Sequence, residues 1–334
     1  MTGATDWLSP TQIHRLLVCP ASAKTSSGPS HKLRLISDVS NIGSIAHAAL
    51  ELWIGNSDWL TDGHGERLRE LYSCEGARRG VSVNNVSGGR LLGVHLKHLA
   101  GQLREVLRGS DPSNVHVESS LADESRRIWG VPDLQVVDNK CLRIYDFKTG
   151  QQAFDGQEVA DSVLVQLAVY EMLGALHYPL LEVQSFVISP KRGVVAVGDL
   201  GDVKDRICQR IGVYRELVAA HRKPPASPAV EACRFCPRRP RCEPHWLSDV
   251  DELSQDRIEG RIADVRVDRS GRISFAAKTP NGMTWVLGVN SSAITGLDWA
   301  VGRQLRAVRL VRTRLDGDET VHFRATSQSA VFCF

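Results

Sequence analysis

The spacing of apolar positions changes character twice along this chain, and each change marks a different kind of structure. In the first stretch the spacing is helical. Ile13, Leu16 and Leu17 share a face, Ser9 stands at the N-cap and Pro10 at the first helical position, so a short helix is predicted that ends at Cys19-Pro20. Residues 25–41, rich in Ser and Gly, read as a loop, and helical periodicity returns over 43–53 and over 91–107. From Val115 the period shortens to two. Residues 115–121, 128–137 and 141–147 alternate, and Asp138-Asn139-Lys140 forms a tight polar turn between the last two. Residues 162–176 are again helical, with Val165, Ala168, Val169, Met172 and Leu173 on one side. A strand over 182–188, a partner strand over 194–198 and a helix over 203–221 complete a mixed α/β order.

The second change falls near Leu253, where short strands take over: 261–267, 272–278, 284–289, 304–314 and 321–325. Asp268-Arg269-Ser270-Gly271 and Asp316-Gly317 are the sharpest turn signals, and residues 292–300 are predicted as a short helix between the third and fourth strands. Five strands with a helix at that point match an OB-fold, a small barrel. Two domains are therefore expected, 1–250 and 253–334, with Lys223-Pro224-Pro225-Ala226-Ser227-Pro228 as a stiff connector inside the first.

Composition narrows the possibilities. The chain has 334 residues, 42% hydrophobic and 24% charged, which is ordinary for a globular protein. Apolar runs are too short for a membrane helix, and residues 1–6 lack the basic and apolar start of a secretory signal, so a cytoplasmic location is expected. There, eight cysteines serve as metal ligands or buried thiols rather than disulfides. The net charge of +3 is uninformative until it is divided. Residues 253–334 hold 12 Lys and Arg against 8 Asp and Glu, a balance of +4, with Arg303, Arg306, Arg309, Arg312 and Arg314 close together as candidate DNA contacts.

The chemistry concentrates at Asp133, Asp146 and Lys148. Asp146 and Lys148, two apart on a strand, leave the same face, and the hairpin brings Asp133 beside them. Two carboxylates and the Phe147 carbonyl suit Mg²⁺, while an adjacent lysine can orient or deprotonate a water and balance phosphate charge. Taken alone, Asp-x-Lys is a surface ion pair; Pro132 before Asp133, together with His47 and Glu118, argues for a site. Separately, Cys233-x-x-Cys236, then Cys242, with Cys19 far upstream, can supply four thiolates to a structural Zn²⁺ or to a [4Fe–4S] cluster. The cluster would close a very long loop.

In these motifs the chain resembles the PD-(D/E)XK nuclease superfamily, and within it the RecB-type and Cas4-type exonucleases. Gly43-Ser-Ile-Ala-His47 matches their G-x-x-x-H, Gly130-Val-Pro-Asp133 their G-x-x-D, Asp146-Phe-Lys148-Thr-Gly150 their D-x-K-T-G, and Gln166-Leu-Ala-Val-Tyr170 their Q-x-x-x-Y. The likeness spans roughly residues 7 to 246 in intact order. It implies a restriction-endonuclease-like mixed sheet flanked by helices, with His47, Asp133 and Asp146 as ligands of Mg²⁺ or Mn²⁺ and Lys148 as the catalytic lysine. Gln166 and Tyr170 would contact substrate or support the site, and Glu118 matches an upstream strand glutamate whose spacing varies. The cysteine spacing resembles the [4Fe–4S] staple of AddB-type and Cas4-type nucleases, with zinc the alternative. DNA is the implied substrate. Because the chain has no P-loop, any motor would come from a partner such as a helicase. A catalytically silent DNA-binding subunit of a repair, recombination or defence complex is the second reading.

Overall fold

The computed structural model of the protein describes residues 7–23, 38–150, 153–234, 236, 238–248, 255–296, 299–314 and 321–334. Its helices are α1 (Pro10–Val18), α2 (Pro20–Ala23), α3 (Asp38–Gly55), α4 (His64–Arg78), α5 (Gly89–Val106), α6 (Asp161–His177), α7 (Gly201–Ala219), α8 (Val230–Arg234) and α9 (Glu243–Trp246). The strands are β1 (Val115–Val117), β2 (Leu121–Asp123), β3 (Ile128–Gly130), β4 (Leu134–Val137), β5 (Cys141–Phe147), β6 (Phe154–Asp155), β7 (Glu158–Val159), β8 (Glu182–Ser189) and β9 (Gly193–Ala196). Later come β10 (Arg257–Val267), β11 (Ile273–Thr279), β12 (Gly282–Val289), β13 (Ile294–Gly296), β14 (Gln304–Thr313) and β15 (His322–Cys333). The described chain forms two compact units, one of residues 7–17 and 38–215, the other of 18–23 and 216–334. The unit boundary thus lies earlier than the change in strand texture near Leu253.

In the first unit, α1 starts on a reciprocal cap. Ser9 N donates to Gln12 Oε1 at 2.8 Å while Ser9 Oγ accepts from Gln12 N at 3.4 Å, so the S-x-x-Q signature satisfies two orphan amides. The preceding Leu8 bridges to Ile128. The main sheet runs β1-β4-β5-β8-β9, with β5 and β8 parallel and the other pairs antiparallel. Helices α3, α4 and α5 bury Trp53, Leu68, Tyr72, Leu96 and Leu103 against Leu134, Val136, Tyr145 and Phe147 of this sheet. Helix α6 covers the other face, and Gly174 permits that approach: a Cβ there would stand 2.7 Å from Leu142 Cδ2. The central strand β5 is therefore buried on both sides.

Three sequence expectations change here. The alternation over 115–121 is two strands, β1 and β2, separated where Glu118 takes a left-handed φ of 48°. The run 128–137 is likewise two strands, because Pro132 cannot donate to a ladder and the chain leaves the sheet at 131–133. Helix α4 was not anticipated, although Leu68, Leu71, Tyr72 and Glu75 lie at helical spacing and are buried.

In the second unit, β10 pairs with β11, β11 with β12, β12 with β15 in parallel, β15 with β14, and β14 with β10. Five strands thus close into a barrel around Ile262, Phe275, Val286, Leu305 and Val331. The expected helix over 292–300 is absent among the described residues. A 3-10 turn at Ser291–Ala293 leads into β13, which pairs in parallel with β15. Asn290 Oδ1 caps this turn, accepting from Ser292 N at 3.0 Å, and from Ile294 onward the backbone pairs with Val331–Cys333 instead of continuing as a helix. Strand β15 is also much longer than the predicted 321–325. Residues 1–6, 24–37 and the Asp316-Gly317 turn lie outside the described residues.

Candidate active site and cysteine segment

Asp146 sits on the α6 side of β5 and is completely buried. Its Oδ2 is ion-paired with the Lys148 ammonium at 2.7 Å, and its Oδ1 has no hydrogen-bond partner among the described residues. Burial, partly offset by Lys148, pushes its carboxyl up to about 6. A carboxylate so placed is costly unless a cation completes it.

Asp133 ends the 131–133 turn and enters β4. Its Oδ2 accepts the Phe147 amide at 2.5 Å, and its carbonyl accepts Glu118 N at 3.2 Å, so it is tied to both neighbouring strands. His47, on α3, places Nδ1 3.7 Å from Asp133 Oδ1 and its ring 6.1 Å edge-on from Phe147. Burial disfavours the charged imidazole, but the adjacent Asp133 carboxylate outweighs it and raises its pKa. Glu118 stands at the exposed rim, where partial desolvation and then the charges of Asp133 and Glu51 raise its carboxyl.

A relay fixes the lysine. Lys148 Nζ donates to Gln166 Oε1 at 3.0 Å, Gln166 Nε2 to Tyr170 Oη at 2.9 Å, and Tyr170 Oη to the Val131 carbonyl at 2.9 Å. The helix α6 motif therefore joins the lysine to the turn that carries Asp133. The Val131 carbonyl has no sequence signature and was missed. Two motif glycines gain a reason from packing. A Cβ on Gly130 would lie 2.7 Å from Tyr170 Cε1, and one on Gly43 would lie 3.0 Å from Thr149 Oγ1. His47, Asp133, Asp146, Lys148, Gln166 and Tyr170 thus converge, with Glu118 at the edge.

Among the described residues, no group of three or more His, Cys, Asp or Glu side chains is arranged as a finished metal cage. At the carboxylates, Lys148 occupies the position beside Asp146. The donor types and the buried Asp146 Oδ1, which has no hydrogen-bond partner among the described residues, nevertheless fit a hard divalent ion.

All four motif cysteines fall in the second unit. Cys19 and Cys233 are buried, and the Ser227 amide points at Cys19 Sγ at 3.4 Å. Burial raises the Cys233 thiol, and nearby Cys236 and Cys242 raise it further. The segment is anchored by arginines. Arg239 is buried, donating to His245 Nε2 at 3.0 Å and to both oxygens of Asp256.

The arginine series divides. Arg303, Arg312 and Arg314 are exposed, and Arg312 Nε donates to the Gln255 carbonyl at 3.1 Å. Arg309, half-buried at a bulge with φ 59°, has its charge disfavoured by desolvation. Arg306 is buried, bonded to Glu259 at 2.7 Å and Glu243 at 2.6 Å, and stacked on Trp246 and Phe334. Its side chain is committed to these partners. Phe275 is fully buried in the barrel core.

A profile of the PD-(D/E)XK nuclease superfamily matches residues 7–243. No curated protein matches the chain. Two solved structures show limited likeness. One is a crystal structure of the tetrameric p202 HIN2, with 16% identity over 23% of this chain and 40% of that one, at a TM-score of 0.18. The other is a crystal structure of SSO0001, with 18% identity over 52% of this chain and 80% of that one, at a TM-score of 0.26. Among the described residues, no helix is long and apolar enough to cross a membrane.

Proposed function

Because this chain belongs to the PD-(D/E)XK nuclease superfamily, we propose that it is a Mg²⁺- or Mn²⁺-dependent deoxyribonuclease of the RecB and Cas4 type. Its substrate on this reading is single-stranded or end-containing DNA. The observation that carries the proposal is the fully buried Asp146 carboxylate, ion-paired with Lys148 through one oxygen, with the other free of hydrogen bonds among the described residues, and set beside Asp133. Held by Asp133, Asp146, His47 and the Phe147 carbonyl, a divalent ion would neutralise phosphate charge and lower the pKa of a bound water. Lys148 is the residue that orients that water and meets the phosphate. Gln166 and Tyr170 are positioning residues, holding the ammonium through their hydrogen-bond relay. Glu118 adds a carboxylate at the rim.

The four cysteines are read as ligands of a [4Fe–4S] cluster, with Zn²⁺ the alternative. The C-x-x-C spacing with a third cysteine six positions on supports this, as do Cys236 and Cys242 lying near enough to Cys233 to raise its thiol, although among the described residues no three cysteines form a ligand group. The barrel is read as OB-like, supported by its neighbour order, in which the third strand pairs in parallel with the fifth. It would hold the substrate strand, with any helicase supplied by a partner.

The test is cleavage of labelled linear and circular DNA, single- and double-stranded, by anaerobically purified protein with Mg²⁺ or Mn²⁺. Loss of cleavage in Lys148→Ala and Asp146→Ala alike supports the assignment, and the circular substrates report the mode. A folded wild type that cleaves none of these substrates would sink the stand-alone nuclease in favour of a DNA-binding subunit.

A further inference from the structure

The outer face of the barrel carries an arrangement that the nuclease site does not use. Along β12, Thr284, Val286 and Val289 are buried, so Met283, Trp285 and Leu287 face outward. The register extends this face sideways. Arg261, Lys278 and Met283 form one cross-strand row, and Asp264, Ala276 and Trp285 form the next. Arg266 follows opposite Ser274, and Arg324 of β15 pairs beside Leu287. Among the described residues of this face, four cations thus flank one tryptophan, against the carboxylate of Asp264, which Arg266 already engages at 3.1 Å. Arg261, Lys278 and Arg324 are exposed and have no ion-pair partner among the described residues.

The backbone at Trp285 is fixed. Its amide donates to His322 Nδ1 at 3.1 Å, and its cross-strand partner Ala276 is small. The Arg266 guanidinium covers the indole, 4.5 Å from the ring centroid, yet its side chain is 71% exposed. An aromatic ring capped by a removable planar cation is a stacking platform.

We propose that this face of β10, β11 and β12, with the start of β15, binds single-stranded DNA. A base takes the place of the Arg266 guanidinium on Trp285, and phosphates run past Arg261, Lys278 and Arg324. The strand must be single because a base in a duplex has both its faces stacked already. The excess of cations over carboxylates on this face favours a polyanion over a protein partner. The proposal rests on the nuclease reading only for the identity of the strand as substrate.

The experiment measures fluorescence anisotropy of a labelled oligothymidylate with the full-length chain, no divalent ion added, over a range of salt. Trp285→Ala is expected to weaken binding about tenfold or more, and Trp285→Phe to retain most of it. Arg261→Glu with Lys278→Glu should flatten the dependence of log K on log salt by about one unit or more. Matched circular dichroism melts establish that each variant folds. The proposal is overturned if Trp285→Ala binds like wild type, if duplex of equal length binds as well as single strand, or if the folded wild type binds neither. Binding without cleavage on addition of Mg²⁺ or Mn²⁺ would remove the nuclease reading and leave this one standing.

Discussion

At the scale of single residues, the site stores an unfavourable charge. In the metal-free protein Asp146 is buried and its carboxyl is raised from an ordinary 3.8 to about 6. The ionised form is therefore better tolerated in the unfolded chain than in the folded one. The sign follows from linkage: the folded state carries no penalty below about pH 4, and stability is lost as pH rises from there to about 6. A two-unit shift corresponds to roughly 3 kcal/mol at neutral pH. Asp146→Asn removes that charge, at the expense of the Lys148 partner, and should abolish cleavage while raising the melting temperature of the metal-free protein by about 5 °C at pH 7.5. The gain should vanish near pH 4. A differential scanning calorimetry series over pH, with no divalent ion present, measures both. An unchanged or lower melting temperature for the asparagine variant at neutral pH would show that the Lys148 pair already neutralises the site. The same titration predicts that Mg²⁺ affinity weakens progressively below about pH 6, because protons compete for the ligand.

At the scale of elements, geometry rather than composition determines which residues act. Gly130 closes the distance between β3 and α6, and alanine there would press on the Tyr170 ring. Gly130→Ala and Tyr170→Phe should therefore both lower kcat, by about tenfold or more, with KM less affected, since Lys148 loses its fixed position through Gln166. Steady-state kinetics separates this from a merely structural effect, which would lower the active fraction but leave the pH profile of kcat alone. The element-scale view also shows what could be read in advance. The motif order from Gly43 to Tyr170 placed the converging side chains, because spacing on strands and helices fixes their faces. Helix α4 was passed over because its buried residues are interrupted by polar and charged ones. Arg306 differs from its neighbours for a physical reason that sequence does not show: between the core residues Leu305 and Ala307 it faces away from the barrel core, and Glu243 and Trp246 cover it there. Arg306→Ala should thus lower the urea midpoint of the barrel, by about 2–4 kcal/mol in stability, while leaving DNA affinity near wild type. A large drop in DNA affinity with unchanged stability would restore Arg306 as a phosphate contact.

At the scale of the whole molecule, the division into two compact units changes what a cysteine-bound metal centre would stabilise. Cys19, Cys233, Cys236 and Cys242 belong to the unit containing the barrel, whereas Asp133, Asp146 and Lys148 belong to the other. Within the barrel unit the cysteine segment is not a loose appendage. Arg238 Nη1 donates to the Ala21 carbonyl at 2.7 Å, and the Trp246 indole to the Pro240 carbonyl at 3.0 Å. Arg239 reaches Asp256, the residue before β10, and Arg306 reaches back from β14 to Glu243. A centre joining Cys19 to Cys233 closes a long stretch of chain, and much of its binding free energy is folding free energy. Its loss should therefore loosen the segment from Cys233 to Trp246 and the barrel strands fixed to it, before it affects the sheet holding Asp146. Cys236→Ala should lose metal and show faster amide exchange over residues 233–262, with β5 still protected. Exchange followed by mass spectrometry, alongside metal analysis and the brown absorbance of an iron–sulfur centre, reads all three quantities in one preparation. Protection lost from β5 in step with the barrel would mean that the two units unfold together, and a colourless, metal-free wild type with a fully protected barrel would mean that the arginine network suffices without a metal.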